Sequence, residues 1–340
     1  MRTRLMPRSA PALVVLVATL GLLASACSRS DESGSAADEG PKAPSPLTGL
    51  PIDADVAARP AVTVKVDNSP EGRPQSGLHR ADVVIEEKVE GTITRFLAVF
   101  QSEEADEVGP VRSVRSTDVA LMSPIRGVFA FSGGIAAFES LINKAPVTVV
   151  TEKDDAEAFD LHESRQRPFK TYTSTTKLRS RAADESRPPA RLFEFLAAGQ
   201  AFSAPGAAPA VHATVVFGPR TTATWDYDRA SGRWRRSTNG TVHVVEGGGT
   251  LEFTNLIVQR TRYRTTVYRD RSGARVDEAD VVGSGEALVL SQGQRVRARW
   301  SKPSMNAPTT YSLPDGTPLR LVPGRTWVGL PPDGATVTTR

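Results

Sequence analysis

The sequence predicts an α/β layered domain followed by a mainly β domain, an α+β chain overall. Two observations carry this. Over residues 47–190, short apolar strand-like runs alternate with helix-like stretches, the pattern of a layered α/β domain. Over residues 212–332, strand-like runs follow one another between glycine-containing turns, without helical periodicity. The 340 residues suffice for two such domains and a linker. With 39% apolar and 24% charged residues, a packed core is expected rather than general disorder.

At the N-terminus, Arg2, Arg4 and Arg8 precede an apolar stretch from Ala12 to Ala26. That stretch is short for a membrane span, which needs about 20 residues. It ends in Ala24-Ser25-Ala26-Cys27. We read residues 1–26 as a signal peptide and Cys27 as the lipidation site. The alternative is an ordinary secretory signal with an incidental cysteine. Cys27 is the sole cysteine and stands at the cleavage position, which favours lipidation. A lone cysteine also excludes an internal disulfide and a cysteine-based zinc cluster. The remainder of segment 27–46 is rich in Ser, Ala, Asp, Glu, Gly and Pro and reads as a flexible tether reaching about 25 Å. The expected location is the extracytoplasmic face of the cell membrane. Removal of the three leading arginines lowers the net charge of +4 to near neutral, which speaks against nucleic-acid binding.

In the folded part, Ala61 to Val66, Ala81 to Val89 and Ile93 to Phe100 read as strands. An acidic turn from Ser102 to Glu107 leads towards a further strand near Arg112 and Arg115. Thr117 to Met122 and Ile135 to Lys144 read as helices, with a strand at Gly127 to Phe131 and a break at Ser132-Gly133-Gly134 between. Segment 191–211 is expected to hold a helix, Arg191 to Gln200, and a proline-rich linker. Beyond it, strands are expected at Val211–Phe217, Thr224–Asp228, Trp234–Ser237, Val242–Glu246, Leu251–Gln259, Ala287–Leu290 and Val296–Trp300.

Chemistry is most legible around three arginines. If the strands on either side of the acidic turn form a hairpin, Arg95, Arg112 and Arg115 come from one neighbourhood. Arginine keeps its charge and grips phosphate with a bidentate fork. The ordinary alternative is pairing with Glu86, Glu87, Glu90 or Asp118. Asn68 and Arg73 lie in a loop stiffened by Pro70 and Pro74, polar enough for a site but equally suited to a turn. Ser132-Gly133-Gly134 is a weak anion-site signal. His162 reads as a surface residue. Trp300 and Trp327 read as packing residues, and the adjacent Ser301 and Lys302 point to opposite faces of a strand. No pair of histidines sits at helical metal-ligand spacing.

These stretches resemble the YerB-like lipoproteins (domain of unknown function 3048). The resemblance lies in Asp67 to Leu78, Ala81 to Val84, Val89-Glu90-Gly91 and Ile93 to Ala98. It continues in Gly109 to Ser113 with Arg115, Gly133-Gly134 and Tyr172 to Thr175. In the second half it lies in Val282 to Gly285, Trp300 to Lys302, Pro308-Thr309 and Pro323 to Trp327. It implies a two-domain cell-surface lipoprotein without established activity, and it strengthens the reading of Arg95, Arg112 and Arg115 as a site. Phe169-Lys170-Thr171 departs from the family, which tends to have His-Asn-Leu there. A fainter similarity is to the LytR-CpsA-Psr phosphotransferases, whose Asp-Thr and Pro-Arg-Asp patterns this chain lacks.

Three functions compete. The first is a non-catalytic module in which Arg95, Arg112, Arg115, Asn68, Arg73 and Glu90 bind a polyprenyl phosphate or an anionic cell-wall polymer. The second is a protein–protein adaptor of the envelope. The third is an Mg²⁺-dependent transferase or hydrolase on lipid-linked phosphates, the one reading that involves a cofactor.

Overall fold

The computed structural model describes residues 40–340 except Glu185 and Ser272. The signal peptide, Cys27 and most of the tether lie outside the described residues. Within them, the expected tether is shorter than residue 46. Lys42–Pro44 pairs antiparallel with Pro51–Asp53, and Leu47 is fully buried.

The first half supplies β1 (Val62–Asp67), β2 (Val83–Lys88), β3 (Thr94–Phe100), β4 (Val128–Phe131) and β5 (Thr148–Thr151). The second supplies β6 (His212–Gly218), β7 (Thr221–Asp228), β8 (Arg233–Thr238), β9 (Asn255–Gln259), β10 (Gly283–Ser291), β11 (Gln294–Lys302) and β12 (Thr326–Leu330). One long sheet runs in the order β11-β10-β9-β12-β2-β3-β1-β4-β5 and so passes through both halves. A second sheet, built around β8-β7-β6, packs on one face of it.

The expected α/β layering of the first half is replaced by a mostly β architecture. The helices among the described residues are short, Ser116–Met122 and Ala136–Ile142 reaching seven residues each. What survives of the alternating pattern is one parallel βαβ unit at the sheet edge, β4, Ala136–Ile142 and β5. The expected helix from Arg191 to Gln200 is also absent. Instead Glu194–Phe195 pairs parallel with Arg320–Leu321, and Leu196 N–H donates to Leu321 O at 2.8 Å. Leu192, Phe193, Phe195 and Leu196 pack against the core from this extended segment, so packing overrides helical periodicity.

β12 joins the halves. It lies between β2 and β9, parallel to both, with Trp327 beside Val84 and Leu256. Thr-Trp-Val-Gly-Leu is buried on both faces and so shows no alternation, as expected for a central parallel strand. Side chains alternate across the sheet. Val83, Ile85, Leu97 and Val99 enter one core cluster, Val64, Val84, Phe96 and Ala98 the other. In the second cluster Trp327 meets Phe96, Trp225 and Phe253 edge-on at centroid distances of 5.0, 5.2 and 5.2 Å.

Because the sheet is shared, the halves are expected to unfold in one transition. Trp327→Ala should lower stability by about 3–5 kcal/mol. Urea unfolding followed by circular dichroism and fluorescence tests both points. Two separated transitions would contradict the shared-sheet account.

Candidate functional site

The polar residues singled out in the first half gather at one end of β1, β2 and β3, on both faces of the sheet. On one face, register places Arg95 of β3 between Asp67 of β1 and Glu87 of β2. All three side chains therefore point the same way. Lys65, two residues before Asp67, joins them and contacts Glu87 and, at 2.7 Å, Asp118. Asp118 lies in the first turn of Ser116–Met122, where a carboxylate suits the helix start. It accepts the Arg115 N–H at 2.6 Å.

The three arginines do converge, but not through the expected hairpin. β3 pairs with β1 and β2. The segment carrying Arg112 and Arg115 runs past β1, bridged at Val66–Val111, with Arg112 N–H donating to Lys65 O at 2.8 Å. Ser132-Gly133-Gly134 holds this segment in place. Ser132 N–H donates to Arg112 O and Val114 N–H to Gly133 O, while a Cβ on Gly134 would meet Val114 Cγ1 at 2.5 Å. The glycine pair thus has a packing role.

Each cation in this cluster has an acid. Arg115 Nε donates to Glu90 Oε2 at 2.9 Å, and its Nη2 contacts Glu90 Oε1. Arg95 Nη2 lies 3.8 Å from the same carboxylate, and its Nη1 donates to Ser113 O at 3.0 Å. Arg112 Nε lies 3.1 Å from Asp67 Oδ1. Lys65, Arg95, Arg112 and Arg115 thereby face Asp67, Glu87, Glu90 and Asp118. Burial pushes the Glu87 carboxyl upward, against the pull of Lys65. The Arg95 and Arg115 side chains are only 5% exposed. Arg112 lies nearer the surface, over the ring of Phe169 at 5.3 Å and donating to Pro168 O at 3.1 Å. The Phe169 departure from the family pattern is therefore in contact with this cluster.

Asn68 and Arg73 belong to a second network, on the opposite face. Arg73 Nε donates to Asn68 Oδ1 at 3.2 Å, and Asn68 Nδ2 to Thr94 Oγ1 at 2.7 Å. Thr94 then donates to Glu86 Oε1 at 2.8 Å. Glu86 also accepts from Arg236 Nη2 at 2.8 Å and from Trp327 Nε1 at 3.1 Å. Arg236 is fully buried, with its guanidinium 4.6 Å from the Trp327 ring centroid and 5.3 Å from that of Trp225. His243 Nδ1 accepts from Arg236 Nε at 3.3 Å, so its Nε2 carries the hydrogen donated to Gln75 Oε1 at 2.8 Å. Burial, then the Arg236 charge, hold this imidazole well below its usual range. Sequence reasoning missed Lys65, Arg236 and His243, because nothing local distinguishes an isolated buried polar residue.

The remaining candidates take ordinary places. His162 stacks on Tyr172 at 3.9 Å and bonds Glu107 at the surface. Among the described residues, no group of three or more His, Cys, Asp or Glu is placed to hold a metal ion. No described helix is long and apolar enough to cross a membrane.

The fold and its charged interior define a class: a mostly β chain whose two halves share one sheet and are locked by buried ion pairs. Two family models match, "Protein of unknown function (DUF3048) N-terminal domain" over residues 47–188 and its C-terminal counterpart over residues 213–328. The chain belongs to this family. It is 29% identical over 301 residues to "Putative lipoprotein YerB" of Bacillus subtilis (strain 168), covering 87% of this chain and 88% of the relative. The crystal structure of YerB from Bacillus subtilis superposes with a TM-score of 0.73 at 27% identity, covering 87% of this chain and all of that one.

Two outcomes follow from the buried charges. Arg115→Ala leaves Glu90 only the longer contact to Arg95 at 3.8 Å and is expected to cost about 3 kcal/mol, whereas Glu90→Gln combined with Arg115→Met costs less. Urea midpoints of the three proteins check this. His243 takes up a proton near pH 6.5 when unfolded but resists it when folded. Its contribution is therefore complete above that pH and is lost as pH falls below it. Between about pH 7 and pH 5, His243→Gln should lose less stability than the wild type.

Proposed function

We propose that this chain is a cell-surface lipoprotein, anchored through Cys27 on the outer side of the membrane, that binds an anionic, phosphate-bearing envelope ligand without chemical change. The lipoprotein name of its relative and the sequence around Cys27 support the anchored location. The internally compensated cluster around Arg95 and Arg115 has little charge to offer a ligand, so the binding reading rests elsewhere.

The observation that carries it is a row of arginines on β11. Arg295, Arg297 and Arg299 alternate with buried Val296, Ala298 and Trp300, so they share the opposite face. Alternate residues on a strand lie about 6.8 Å apart, so the row spans about 14 Å. Among the described residues, no acid pairs with any of the three. They line a groove of about 480 Å³ together with Val258, Leu288 and Val337. Arg260, also in the groove, is held by the carbonyls of Asp333 and Ala335 at 2.7 and 2.9 Å. Glu286, opposite Arg299 in register, is the one acid lining it.

Unpaired guanidinium groups in a row suit a ligand bearing several negative charges, which they bind through charge-assisted bonds. The apolar residues beside them suit the uncharged stretches between those charges. Titration calorimetry of the full chain with soluble polyphosphate, and with vesicles carrying a polyprenyl phosphate, tests the reading. Saturable, salt-sensitive binding is expected. It should weaken by about tenfold for each of Arg297→Gln and Arg299→Gln, with Tm unchanged. Binding equal to wild type in the double variant would remove the reading.

A further inference from the structure

Lys302 ends β11 on the face opposite the arginine row. The residue is 1% exposed. Its Nζ donates to Met305 O at 3.0 Å and to Ala307 O, which leaves one of its three N–H groups over. Among the described residues, no acid pairs with it, unlike buried Lys65, which has two. Burial alone pulls Lys302 down, to about 8, so at neutral pH it remains largely charged. A buried charge without a counter-ion is unfavourable and is relieved by an anion.

Lys302 lines a cavity of about 40 Å³. Gln259, Thr309 and Tyr311 supply its other polar edges, and residues such as Ile85, Leu121 and Val328 its apolar walls. One water needs roughly 10–15 Å³ by this measure, so the cavity holds about three water-sized atoms. That is the size of a carboxylate, not of a chain. Leu192, Phe193, Thr309 and Tyr311 are shared with an outer groove of about 520 Å³. The rings of Phe193 and Tyr311 lie face to face there, with centroids 6.2 Å apart.

We propose that this cavity takes the carboxylate head of a single-chain amphiphile whose apolar chain lies in the outer groove. The head pairs with Lys302. The chain runs out past Phe193 and Tyr311, which line both spaces, Tyr311 being held by its hydroxyl donating to Gln259 Oε1 at 2.7 Å. Net charge selects the ligand, and the narrow cavity excludes a branched or bulky head. This site is separate from the arginine groove, so either stands if the other fails.

Calorimetry of the full chain with dodecanoate, below micelle formation, tests it, and dodecyl phosphate, whose head is larger than the cavity, should bind more weakly. Acetate, inorganic phosphate and dodecyltrimethylammonium serve as controls. One-to-one binding of dodecanoate, and of none of the controls, is expected. Binding by acetate or phosphate with equal strength would reduce the site to one for small anions. Lys302→Met should weaken binding at least tenfold. Because that change also removes two hydrogen bonds, Ala120→Leu, which fills the cavity and keeps Lys302, is the second variant and should weaken binding similarly. Arg297→Gln with Arg299→Gln should leave it unchanged. Absent binding, equal binding of the cationic amphiphile, or binding unaffected by Ala120→Leu would overturn the proposal.

Discussion

Glu86 and Arg236 come from opposite halves of the chain and meet where no water reaches. A buried guanidinium is tolerable only when its charge is met, and here the groups that meet it come from distant segments. Glu86 supplies the charge from β2, while Trp327 on β12 supplies both a ring face and a further donor to the same carboxylate. The pair therefore fixes the register of β12 against β2 and the placement of the second sheet above them. An apolar replacement of matching volume would not distinguish this register from a shifted one.

On the other face of the same strands, a second set of charges lies at the same end of the sheet. Lys65, Arg95 and Arg115 hold the segment from Arg112 to Ser116 against β1 and β3. A sheet usually ends in loops that find their own structure. Here ion pairs on both faces determine the loops, which explains why polar residues cluster so densely between Asp67 and Asp118.

Much of the β structure was legible in the sequence because alternation survives wherever one face is exposed. β11 is the clearest case, with Arg-Val-Arg-Ala-Arg-Trp repeating polar and apolar positions. β12 was not legible, since a strand buried on both sides carries no period. The stretch from Arg191 to Gln200 misled for a related reason: four apolar residues in it pack on the core as an extended segment. Of the site, Arg95, Arg112 and Arg115 were legible as neighbours only on the supposition of a hairpin, and the structure brings them together by another path. Pairing with Glu90 was the ordinary alternative from the outset, whereas the pairing of Arg112 with Asp67 was not legible, because it depends on a path beside β1 that no local pattern encodes.

The position of β12 has a consequence for how the chain reaches its native state. Trp327 and Glu86 are 241 residues apart in sequence yet share a hydrogen bond. As the chain is made from its N-terminus, β2 is complete long before its parallel neighbour exists, and one edge of the early sheet lacks its partner throughout that interval. Closing so long a loop is slow compared with forming local hairpins. Until residues 326–330 are in place, that edge of β2 therefore lacks its native neighbour, and the native sheet is complete only when β12 enters between β2 and β9.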